Sequence, residues 1–175
     1  TSFDFTDDQM LELAAMLRGI QEVVKAEDLL MAEQRPMDIV DLQAFNTVSD
    51  WIRFGCSSFT LFGELAERTG PVVVRNLDYI VDSGSMSSAY PTVIAHIPDD
   101  TALRPWLSAT WPGLVGLYSG MNDQGAVLLL HDSNGSGERR IGLVPRSFAA
   151  RDVIESMQAG PDAIDNGAKV FRERT

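Results

Sequence analysis

The chain has 175 residues, 45% of them apolar, and sets 25 acidic side chains against 14 basic ones for a net charge of −11. That size and balance fit one globular domain with a real core and argue against nucleic acid or an anionic membrane surface as partner, because phosphates are repelled. A single cysteine rules out an internal disulfide, and no apolar run reaches the length of a membrane span. His96 and His131 stand far apart with no second soft ligand beside either, so the sequence points to no metal and no cofactor. No signal peptide is recognisable, which leaves the compartment of this soluble chain open.

The acidity is uneven. Residues 1–55 hold 11 acids and 4 bases, and residues 138–175 hold 6 and 7. Residues 1–35 read as helical: Thr6 with Gln9 forms a capping box, Asp7 and Asp8 put negative charge on the first turn, and Met10, Leu13, Ala14 and Leu17 recur at helical spacing. Gly19 weakens the pattern, and a second segment from Ile20 to Leu30 runs on until Pro36 stops it. Residues 37–53 fit no single period, and a short helix or a strand pair is expected there.

From Cys56 onward the pattern turns to β. Ser57 to Phe62 and Val72 to Val74, separated by Arg68-Thr69-Gly70-Pro71, read as an antiparallel hairpin that brings Arg75 and Asp78 back toward Cys56. Asp82 to Ser88 is a polar loop. Thr92–Ile97, Trp106–Trp111, Leu114–Ser119 and Ala126–His131 are four further strand candidates, and their close succession favours an antiparallel sheet over βαβ units. After a polar loop at 133–140, Phe148, Ala149, Val153, Ile154 and Met157 make a helical stripe. Gly160-Pro161 starts a last helix, with Ile164, Ala168 and Phe171 on its buried side. The order of helix, strands and two helices predicts an α+β fold.

Phe54-Gly55-Cys56-Ser57-Ser58-Phe59 is the stretch with chemistry in it. A lone thiol ahead of an apolar strand is more often a buried small hydrophobe than a nucleophile, and a thiol must be deprotonated to react. His131-Asp132 are strand neighbours that point to opposite faces, a poor relay. The other route uses the backbone. A cut between Gly55 and Cys56 frees an α-amine, ordinarily titrating at about 7.7–8.0, that serves as base for its own thiol. Arg75 then favours the thiolate and Asp78 holds the α-ammonium, although a structural ion pair across the hairpin is the alternative for these two. Asn122-Asp123-Gln124-Gly125 is in itself a good hairpin turn. Trp106, Trp111 and Tyr118 are either core residues or the lining of an acyl pocket.

Gly55-Cys56-Ser57-Ser58-Phe59, Arg75-Asn76-Leu77-Asp78-Tyr79 and Gly116-Leu117-Tyr118-Ser119-Gly120-Met121-Asn122-Asp123-Gln124-Gly125, in that order, resemble the N-terminal-nucleophile (Ntn) hydrolases of the acyl-coenzyme A:6-aminopenicillanic-acid acyltransferase group. That group is related to choloylglycine hydrolases and penicillin V acylases. The likeness runs from about Asp38 to Lys169 and includes Arg151. It implies an αββα sandwich of antiparallel sheets, only part of which lies in this chain. Residues 1–55 would be a helical propeptide or α-chain, and residues 56–175 the first part of the catalytic domain. It implies self-cleavage between Gly55 and Cys56, then hydrolysis or acyl transfer on a linear, small-molecule acyl amide. Cys56 would be the catalytic nucleophile, Arg75 and Asp78 would serve it, Asn122 would help bind the oxyanion or the substrate amide, and Tyr79, Trp111 and Tyr118 would stand against the substrate. The family supplies a further oxyanion-hole asparagine from a later strand beyond Thr175. A partner chain or a missing C-terminal half would complete the fold, and a homo-oligomer is a separate expectation. The alternative is a non-catalytic half-domain whose role is assembly.

Overall fold

The computed structural model describes residues 3–31, 34–51, 55–66, 70–78, 89–132 and 141–174. Tyr79 and the expected loops at 82–88 and 133–140 lie outside them. The described residues form an α+β architecture with two antiparallel sheets.

Helix α1 spans Asp7–Val23. Its start is the expected capping box, with Gln9 N donating to Thr6 Oγ1 at 3.3 Å and Thr6 N to Gln9 Oε1 at 3.0 Å. Gly19 does not break it: a glycine on an exposed face costs only about 1 kcal/mol of helix propensity. The expected second segment shrinks to one 3₁₀ turn, Ala26–Leu29. The ambiguous stretch resolves into two short helices, α2 (Ile39–Asn46) and α3 (Val48–Trp51). Asp38 caps α2 by accepting from Val40 N at 2.8 Å.

These helices share a core with the C-terminal half of the chain. Leu13 of α1 and Leu42 of α2 pack with Val115 and Phe148. Asn46 is fully buried, donates to Gly113 O at 2.9 Å and accepts from Val115 N at 2.9 Å. A buried amide satisfied on both sides fixes where the 113–115 backbone runs.

Strands β1 (Gly55–Leu61) and β2 (Val72–Asp78) form the expected hairpin. Its register sets Gly55 against Asp78, Cys56 against Leu77 and Ser58 against Arg75. Alternation along a strand therefore puts Cys56, Ser58, Arg75 and Leu77 on one face. The second sheet is a meander, β3 (Thr92–His96), β4 (Trp106–Thr110), β5 (Ser119–Asn122) and β6 (Val127–Leu129), in sequential order.

One expected strand is absent. Residues 114–118 are irregular, and the strand begins only at Ser119. The cause is the next helix, α4 (Arg146–Ser156). A Cβ on Gly116 would stand 2.5 Å from Ser147 Oγ, and Leu117 N donates to Ser147 O at 2.8 Å rather than to a strand. Leu114, Val115, Leu117 and Tyr118 are all buried there. The last helix, α5 (Ala163–Arg174), packs on α4 through Gly167, where a Cβ would meet Val153 and Met157 at 3.2 Å. Phe171 joins the core beside Trp106, Leu117, Ala150 and Ile154, but Ile164, expected on the buried side, is 80% exposed. Trp106, Ser108 and Thr110 turn inward on β4, and Leu107 turns outward toward the hairpin. The layers run helices, four-stranded sheet, hairpin.

Candidate functional site

The site lies where the Cys56 face of the hairpin meets the outer face of the four-stranded sheet. Cys56 is half-buried and packs with Leu77 beside the buried pair Leu114 and Tyr118. Arg75 reaches across from β2, its Nη2 donating to Cys56 Sγ at 3.2 Å and to Leu130 O. Its Nη1 donates to Tyr118 O at 2.7 Å and to Ser119 Oγ at 2.6 Å. Four donors of one guanidinium are thus held by two carbonyls, a hydroxyl and the thiol. Among the described residues no carboxylate pairs with Arg75. A guanidinium held this way sets its positive charge directly against the sulfur.

Asp78 stands at the other side of the Gly55–Cys56 bond. A Cβ built on Gly55 would lie 3.2 Å from Asp78 Cβ and 3.4 Å from its Oδ2, so the carboxyl rests directly over the glycine. Asn76 Nδ2 donates to Asp78 Oδ1 at 2.5 Å and steers it there. Any larger residue at 55 would push the carboxyl aside, which gives glycine a physical reason at this position.

Cys56, Arg75, Asp78 and Gly55 therefore come together, and the alternative of an Arg75–Asp78 ion pair is not seen among the described residues, which show these separate contacts instead. Asn122 has other work. It is buried, its Nδ2 donating to Ile154 O at 2.9 Å and Met157 O at 3.0 Å and its Oδ1 accepting from Gln124 N and Ala126 N, each at 3.0 Å. All four positions of the amide are used. Its expected oxyanion role is corrected on that ground: Asn122 ties the β5–β6 turn to the end of α4 and has no donor left for a substrate. Tyr118 is 1% exposed, which removes its ring from any substrate surface. Burial also pushes its phenol above the ordinary range. Its contribution to the site is its carbonyl.

A groove of about 850 Å³ opens between the two sheets. Val73 and Leu77 of the hairpin face Leu107, Met121, Val127 and Leu129 of the sheet, and Arg75 is the only charged residue among its described lining. Trp111, set edge-on against Tyr118 at 6.2 Å, is among its lining. Ser119 and the carbonyl of Leu130 are site groups that the sequence reading missed. Ser119 stood inside the third motif, but only the packing of β2 on β5 reveals its partner.

Neither histidine belongs here. His96 stacks on Trp106 at 3.7 Å with its Nε2 3.0 Å from Ser108 Oγ, and burial, helped by the Arg151 charge, lowers its pKa to about 4. His131 is exposed, while its neighbour Asp132 pairs with Arg146.

No helix among the described residues is long and apolar enough to cross a membrane. Comparisons of the chain with protein-family models, with curated proteins and with solved structures return no match.

Proposed function

We propose that the protein is an N-terminal-cysteine amidohydrolase or acyltransferase of Ntn type, built as part of an αββα sandwich and activated by a cut between Gly55 and Cys56. The observation that carries this reading is the convergence at one bond. Arg75 Nη2 lies 3.2 Å from Cys56 Sγ, and the Asp78 carboxyl covers Gly55 on the far side of the peptide that must break.

In the first reaction Cys56 Sγ attacks the Gly55 carbonyl, the C–N bond breaks as the nitrogen takes a proton, and water hydrolyses the thioester. Gly55 keeps a carboxylate and Cys56 a free thiol and α-amine. Asp78 then sits beside that amine, a short-range partner for its ammonium form. In the second reaction the amine takes the thiol proton and sulfur attacks the carbonyl carbon of an acyl amide. The C=O electron pair moves to oxygen. Collapse re-forms the carbonyl, breaks the C–N bond and sends the proton to the leaving amine. Water or a second amine resolves the thioester, giving hydrolysis or transfer. The apolar groove beside Arg75 suits an uncharged acyl chain. The test is turnover of a panel of acyl p-nitroanilides by the purified full chain. Turnover that disappears in Cys56→Ala is expected, and turnover that survives the substitution removes the reading.

An assembly role is favoured by one observation. Phe59, Phe62 and Leu65, at and beyond the hairpin's outward face, are 56%, 71% and 76% exposed. A monomer by light scattering at working concentration would count against self-association.

A further inference from the structure

Asn122 leaves the site without its expected oxyanion donor, and the geometry points to Ser119 as the side chain that supplies it. This inference rests on the N-terminal-cysteine reading above.

Ser119 opens β5 at the groove, half-buried, and its Oγ accepts from Arg75 Nη1 at 2.6 Å. A hydroxyl has one proton and two acceptor positions. Here one acceptor position is filled by a cation, and among the described residues the proton has no acceptor. The other terminal nitrogen of the same guanidinium holds Cys56 Sγ at 3.2 Å. Thiol and hydroxyl are therefore held by the two terminal nitrogens of one rigid, planar fork, and Arg75 and Ser119 line the groove. A carbonyl whose carbon meets Sγ places its oxygen toward that fork. A hydroxyl that accepts a bond from a guanidinium is polarised and donates more strongly. When the carbon–sulfur bond forms and the carbonyl electron pair moves to oxygen, Ser119 Oγ–H donates to the new oxyanion. When the carbonyl re-forms and the leaving group departs, the proton is still on Ser119. It is a donor throughout, neither nucleophile nor base.

Two reagents separate this role from a merely structural one. p-Nitrophenyl hexanoate acylates a thiol through a tetrahedral oxyanion, with p-nitrophenolate as leaving group. Iodoacetamide alkylates it by direct displacement, with no oxyanion to stabilise. Both are run on the full chain, followed by p-nitrophenolate release and by intact mass. Ser119→Ala is expected to slow acylation of Cys56 about 100-fold, the usual effect of removing one oxyanion donor, with alkylation within about twofold of the parent. Ser119→Thr, which keeps a hydroxyl, is expected to recover most of the acylation rate. Equal slowing of both reactions would place Ser119 behind Arg75 as a positioning residue, and no slowing of either would remove its role; each outcome overturns the inference. If the parent chain itself is not acylated at Cys56, the underlying reading fails, and that result is distinct because it appears without any change at 119.

Discussion

Arg75 and Arg146 are both partly buried, and both gather their partners from distant parts of the chain. Arg146 reaches back to α3, where its Nε meets Asp50 Oδ1 at 2.9 Å and its Nη2 donates to Ser49 O, while its Nη1 pairs with Asp132. Two carboxylates surround one cation. Burial pushes the Asp50 carboxyl above its ordinary range even with Arg146 against it, so the cluster is a cross-brace whose cation is fully countered by acids. Arg75 is held equally firmly, but by carbonyls and a hydroxyl. Its charge is left for Cys56. The contrast teaches that firm placement of a cation and neutralisation of a cation are separate choices. Where the fold places without neutralising, it keeps an electrostatic field for use.

Breaking the brace has the larger effect on stability. Arg146→Met strands Asp50 in a partly buried position, and chemical denaturation is expected to show a loss of about 3 kcal/mol, the low end for breaking a buried pair. A loss under about 1 kcal/mol would mean that the brace is no more than a surface pair.

Arg75→Met sharpens the other half. Among the described residues no acid is orphaned, so the expected stability loss is only about 1–2 kcal/mol, from the hydrogen bonds that Arg75 gives to Ser119 Oγ and Leu130 O. The alkylation rate of Cys56 at pH 7 is expected to drop by about tenfold or more. Stability and reactivity that fall in the reverse proportion would erase the difference between the two arginines.

The smallest effect concerns His96, which belongs to the braced side of the molecule. Its pKa is lowered from 6.5 to about 4, so the unfolded chain takes up this proton at a higher pH than the folded one. The stability tied to the neutral ring is present above pH 6.5 and is lost as the pH falls toward about 4. Thermal melts across that window are expected to show a shallower acid slope for His96→Gln than for the parent.

Much of this was legible in advance, for local reasons. The Thr6–Gln9 box fixes the start of α1 because its partners are three residues apart. The pairing of β1 with β2 returns Arg75 and Asp78 to Cys56 because an antiparallel register allows nothing else. The failures share the opposite cause. Leu114 to Tyr118 has a strand's composition, yet the N–H groups of Val115 and Leu117 go to Asn46 and Ser147, far along the chain in either direction. Asn122 reads as a donor in its motif, but its amide is claimed by Ile154 and Met157 at the end of α4. Asn46, buried and central to the core, carried no signal at all in a stretch without a clear period. Polar side chains whose partners lie across the fold cannot be assigned from their neighbours in sequence.

The central claim is that Cys56 becomes a chain terminus with a nucleophilic thiol. Intact-mass analysis of freshly purified chain, incubated at neutral pH and sampled over time beside Cys56→Ala, tests it most directly. The account predicts two fragments that meet at Gly55 and Cys56 in the parent and a single uncut chain in Cys56→Ala. A parent chain that stays whole throughout, or a Cys56→Ala chain cut at the same bond, would contradict it.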